Sequence, residues 1–184
     1  LAIPNINSAS YGSVEQNAEL RRAHLDFNIE NNSVYVNATD IEMVGDGIHQ
    51  SQVGNLSLSR NFFRAQYASS LGPSFKSITR AAAVINVQFN LKSDSTALVG
   101  VGTPTGLVSV SLVSDPFTLL AVNSVTVNTD NIDITLASDP STDALLIWFG
   151  SSKNNDGSAS IRDNYTADGF SVGRNIRRTG DYFG

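Results

Sequence analysis

LVSVSLVSDPFTLLAVNSVTVNTDNIDITLASDPSTDALLIWFGS, running from Leu107 to Ser151, decides the fold. Leu107–Val113, in which Val108, Val110 and Leu112 alternate with Ser109 and Ser111, reads as one strand. A second strand is expected over Phe117–Val127, interrupted at Asn123-Ser124, and a third where Ile132, Ile134 and Leu136 alternate with Asp133 and Thr135. Asp139-Pro140-Ser141-Thr142 has turn chemistry. Ala144–Phe149 is apolar at every position, so it reads as a central strand covered on both sides. Short strands at this spacing suit a sandwich or barrel better than βαβ units.

Towards the N-terminus, Leu98–Val101 reads as a short strand stopped by Gly102, Pro104 and Gly106. Ile78–Lys92 reads as one long strand, with Ala81–Ala83 flat against a neighbour. Asn61–Leu71 is the best helix candidate. Phe62, Phe63, Tyr67 and Leu71 fall near helical spacing, Ser59 or Asn61 is the expected cap, and Gly72-Pro73 supplies a stop. Alternation on both sides of Asn31-Asn32 predicts a hairpin over Leu25–Thr39. The expected class is mainly β: an antiparallel sandwich or barrel with one short helix over about 61–71. The expected organisation is an N-terminal arm at 1–17, a core at 18–161 and an irregular C-terminal arm at 162–184.

A chain of 184 residues fits one domain and is long enough to bury a core without staples. Charged residues make up only 16% of the chain, against about 25% in ordinary soluble domains, and Ser, Thr and Asn take their place. That composition favours a virion or extracellular protein. The chain has no cysteine, which excludes disulfides, thiolate catalysis and cysteine-bound metal. No apolar run approaches a membrane span. The chain opens on Leu1 rather than Met, which fits either removal of a leader or a boundary without meaning.

Charge is sorted into blocks. The net charge is −5 over residues 1–50, +5 over 51–92, −6 over 93–150 and +1 over 151–184. The basic block holds Arg60, Arg64, Lys76, Arg80 and Lys92. The acidic block holds Asp94, Asp115, Asp130, Asp133, Asp139 and Asp143. Unlike blocks attract, within one subunit or between two. A net charge of −5 supplies no general attraction for nucleic acid.

Chemistry-bearing motifs are sparse. His24 and His49 have no partner at metal-ligand spacing, and a structural role is the simpler reading of each. Spacing alone does not rule out a Ser-His-Asp triad, but no Gly-x-Ser-x-Gly elbow occurs. The carboxylate pairs Asp40/Glu42 and Asp130/Asp133 read as solvated edges and turns. Ser152, Asn154, Asp156, Gly157 and Asp163 follow part of a calcium-loop spacing, although a turn on Asp156-Gly157 explains the same letters. Tyr11, Tyr35, Tyr165 and Tyr182 are stacking candidates for a glycan but form no pattern. The sequons at Asn31, Asn37, Asn55 and Asn164 are close to chance in so Asn-rich a chain. No catalytic residue, metal or cofactor is expected.

The function these features favour is a structural subunit that assembles with copies of itself, and with other structural proteins of the same assembly, into a virion tube, shell, decoration layer or extracellular filament. The contact candidates are Arg60, Arg64, Lys76, Arg80, Asp130, Asp133, Arg174, Arg177 and Arg178. The alternative is a secreted sandwich module that binds a glycan or surface ligand through its end loops.

Overall fold

A computed structural model describes residues 23, 42, 44–46, 49–66, 72–115, 118–149, 160–167, 174 and 176. The chain is mainly β and antiparallel, as its alternation predicts. Among the described residues the α-helix α1 (Gln52–Gln66) precedes eight strands, with a 3-10 turn at Pro104–Gly106 between the third and fourth: β1 (Ser74–Ala81), β2 (Val84–Asn90), β3 (Leu98–Val101), β4 (Val108–Leu112), β5 (Val122–Val127), β6 (Asn131–Leu136), β7 (Leu145–Phe149) and β8 (Ser160–Asp163). Four strands form one sheet in the order β1-β2-β6-β5, while β3 pairs with β8 and β4 with β7. Among the described residues the three sheets do not close into a barrel.

One core joins the sheets. Ile85 and Val87 of β2, Ile132 and Ile134 of β6, and Leu145 and Ile147 of β7 are all fully buried within it. Each such side chain contributes roughly 1.5–3 kcal/mol of transfer free energy. β7 is buried on both faces, as its unbroken apolar run requires. Leu145, Ile147 and Phe149 enter the main core, while Leu146 and Trp148 pack with Leu119 on the other side. Ser109 and Ser111 of β4 lie in register with Trp148 and Leu146.

Three local expectations are corrected. The long strand over Ile78–Lys92 is a hairpin of β1 and β2, in which Ala81 pairs with Val84 and Ala82 takes a φ of 52°. Alanine rarely supplies that conformation, so the turn leaves no Gly, Asn or Asp signature in the sequence. The helix starts at Gln52 rather than Asn61. Its cap is Ser51, whose Oγ accepts from the Gly54 N–H at 3.0 Å, while the Ser59 hydroxyl donates to the Asn55 carbonyl within the helix. The break expected at Asn123-Ser124 is a bulge within a continuous β5, the register shifting between Val122 and Ser124. The boundary expected between 161 and 162 falls inside β8. The hairpin over Leu25–Thr39, the arm at 1–17 and the helix end at Tyr67–Leu71 lie outside the described residues.

Candidate functional site

Just ahead of α1 the chain doubles back on itself. The Val44 N–H donates to the His49 carbonyl at 2.8 Å, and the Ser51 N–H donates to the Glu42 carbonyl at 3.0 Å. These two bonds fix the stem that carries Asp46 and His49. Both oxygens of the Asp46 carboxylate are used. Oδ1 accepts from the His49 backbone N–H at 3.0 Å, and Oδ2 lies 2.6 Å from His49 Nδ1. An ionised carboxylate only accepts, so Nδ1 is the donor of this pair, and whenever the ring is neutral Nε2 is the nitrogen with the lone pair. The His49 side chain is 77% exposed. The orienting half of a nucleophile–base–carboxylate relay has this form. Among the described residues no hydroxyl is bonded to His49.

The same segment leads into a helix whose faces are inverted. Val53, Leu56 and Phe63 fall on one helical stripe, and all are exposed, Leu56 by 67% and Phe63 by 47%. Phe62 is exposed beside them. Gly54 and Asn61 lie across the helix from Leu56 and Phe63 and are buried, and Arg64, about three turns on from Val53, is buried to 3% exposure. Among the described residues no side chain of α1 enters either core cluster.

The contact candidates scatter. Arg60 and Arg64 lie on α1, Arg60 half-buried and Arg64 buried. Lys76 is exposed at the bulge of edge strand β1, where the register shifts between Phe75 and Ser77. Arg80 is spent inside the subunit: it donates to the carbonyls of Ala82, Asp143 and Ser141 and to the Asp139 carboxylate. Asp130 is exposed in the β5–β6 turn. Asp133 is half-buried and accepts from the side-chain amides of Asn86, Asn128 and Asn131. Arg177 and Arg178 lie outside the described residues.

Arg174, expected as a surface contact, is 1% exposed and fully engaged within the subunit. Nε donates to Asp163 Oδ2 at 2.8 Å, and the two terminal nitrogens fork onto Asp94 at 2.6 and 3.1 Å. The Tyr165 ring lies 3.9 Å below the guanidinium carbon. Burial works against the charge on Arg174, but its hydrogen bonds to Asp94 and Asp163 outweigh that and raise its pKa. The hydrogen bond from Arg174 holds the Asp94 carboxyl below its ordinary value of 3.8. Two unlike pairs, Arg80–Asp139 and Arg174–Asp94, thus close within one subunit.

The remaining candidates resolve simply. Asp163 of the calcium-like spacing is committed to Arg174, and residues 152–157 lie outside the described residues. Asn55 is exposed on α1. Asn164 is already engaged: Oδ1 accepts from the Thr96 and Ala97 N–H groups and Nδ2 donates to Thr96 Oγ1. Among the described residues no group of three metal-ligating side chains gathers, and no helix is long and apolar enough to cross a membrane. The Asp46–His49 pair escaped the sequence reading, which weighed each histidine against metal-ligand spacing. The usable signal was a carboxylate three residues ahead of a histidine, just before a helix.

Neither a protein-family model nor a curated protein matches the chain. Among solved structures, it is similar to a carbohydrate acetylesterase from Xanthomonas citri, with a TM-score of 0.49 and 15% sequence identity. The match covers 80% of this chain and 32% of that protein, so the chain spans about a third of its length.

Proposed function

We propose that this chain carries the acid–base half of an acyl-transfer site, with His49 as general base and Asp46 as the group that orients it. One observation carries the reading: a single carboxylate binds both the backbone and the ring of an exposed histidine and leaves Nε2 open. In the reaction Nε2 takes the proton of an attacking hydroxyl as that oxygen bonds to the substrate carbonyl. The imidazolium that results is stabilised by Asp46 and returns the proton to the leaving group. The attacking hydroxyl is that of water. The test is turnover of p-nitrophenyl acetate by the whole protein. His49→Gln and Asp46→Asn should each lower kcat/KM by about 10²–10⁴-fold, with the fold retained. Equal turnover in all three proteins would reject the assignment.

A second reading, self-association, rests on a different observation. α1 exposes Val53, Leu56, Phe62 and Phe63 while burying Asn61 and Arg64. Such a face is costly in water unless another body covers it. On this reading a second copy covers it, as expected for a structural subunit. Light scattering on a sizing column should show oligomers at low and high salt, and Leu56→Asp with Phe63→Asp should reduce them to monomers. A wild-type monomer at every concentration would end this reading without touching the first.

A further inference from the structure

The four-stranded sheet has two unlike faces. Ile85, Val87, Ile132 and Ile134 lie on the core side. The residues between them lie on the other side, because side chains alternate along a strand. Register sets Thr79, Asn86, Asp133 and Thr126 side by side across the four strands, in that order. The next row towards the β5–β6 turn is Ser77, Gln88 and Asn131. Thr79 and Thr126 are exposed, and Asn86, Asn131 and Asp133 are half-buried.

Asp133 organises this outer face. Oδ1 accepts from Asn86 Nδ2 at 2.6 Å and from Asn131 Nδ2 at 3.3 Å, and Oδ2 accepts from Asn128 Nδ2 at 2.8 Å. An ionised carboxylate accepts and does not donate, so each amide turns its nitrogen towards Asp133. The carbonyl oxygen and the second N–H of each amide remain for another partner. Three side chains are thus held in place before a ligand arrives, which removes part of the ordering cost of binding. A face that only met water would gain nothing from such fixing.

The chemistry of the face selects the class of ligand. Of the residues paired across it, Asp133 is the one charged side chain and Val84 the one large apolar side chain. Lys76, in the bulge of β1, and Asp130, in the β5–β6 turn, mark its margins with opposite charges. Those paired residues supply neither the cations that hold a polyanion nor the apolar centre of a protein interface. They supply hydroxyls and amides, which both give and accept hydrogen bonds, the complement of a neutral ligand dense in hydroxyls. Neighbouring strands stand about 4.8 Å apart, so an extended chain lying across them meets a fresh polar group at every strand. We propose that this face binds a neutral polysaccharide lying across the four strands, held by the Asn86, Asn128 and Asn131 amides that Asp133 fixes. Binding here requires neither His49 nor the exposed side chains of α1.

Native gels cast with hydroxyethylcellulose, galactomannan, arabinoxylan or dextran test this on the full chain, beside a gel without polymer and one with the anionic polygalacturonate. At least one neutral polymer should retard the wild type, and polygalacturonate should not. Thr126→Arg puts a bulky side chain opposite Asp133 and should abolish the retardation with the denaturant midpoint retained. Asn86→Ala combined with Asn131→Ala should weaken binding about tenfold. Asp115→Asn, outside this sheet, should bind as wild type does. Absence of retardation by all four neutral polymers would overturn the proposal. So would retardation by polygalacturonate as strong as by any neutral polymer, or retardation undiminished in Thr126→Arg.

Discussion

Arg80 does the work of a clamp. Its guanidinium reaches three carbonyls and one carboxylate, tying the β1–β2 hairpin to the turn that precedes β7. Lysine carries the same charge but not the planar fork that serves four acceptors at once. Arg80→Lys should therefore lower stability by about 1–3 kcal/mol, read from the denaturant midpoint, and neutral salt should not restore it. Gly100 is constrained by space. A Cβ there would stand 2.9 Å from Leu107 Cδ1 and 3.0 Å from Val127 Cγ2. Gly100→Val should cost about 1–3 kcal/mol by overpacking, with the thermal transition still cooperative. Neither role was readable from sequence, since Arg80 meets Asp139 across 59 positions and Asp94 meets Arg174 across 80. Alternation fixes which face of a strand a residue occupies, but not which distant charge it meets. Asp46 and His49 are only three positions apart and were legible in principle.

The strands were legible wherever one face is apolar and the other polar. β4 and β6 fall where period-two alternation places them, β3 ahead of its Gly and Pro stop, and β7 where an unbroken apolar run does. The β1–β2 turn was hidden because Ala82-Ala83 carries no turn chemistry. The start of α1 was hidden because Val53, Leu56, Phe62 and Phe63 are exposed and its buried residues are Gly, Asn and Arg, the reverse of the composition a core helix shows. The edges of the four-stranded sheet bear on the self-association reading. Both edge strands carry a bulge, at Lys76 in β1 and at Asn123 in β5. Bulges and edge lysines are devices that discourage strand addition. A second copy would therefore be expected at α1 rather than along these edges. Because Arg64 is buried, Arg64→Glu would disturb the fold before it disturbed any contact between copies.

At the scale of the molecule, charge segregation has an internal use. The basic and acidic blocks meet at Arg80–Asp139, and the acidic block meets the C-terminal segment at Arg174–Asp94. The β core holds these contacts, while the candidate chemistry sits on a hydrogen-bonded stem ahead of the one described helix that faces its apolar residues outward. That arrangement places the exposed His49 and the exposed apolar residues of α1 next to each other in sequence, with only Gln50 and Ser51 between His49 and α1. The account stands or falls on whether Asp46 holds His49 in one tautomer. Long-range ¹⁵N NMR of the His49 ring, in wild type and Asp46→Asn, measures this directly. The account predicts a wild-type ring protonated on Nδ1 with an unprotonated Nε2, and a mixture of tautomers in Asp46→Asn. The same tautomer mixture in both proteins would contradict it.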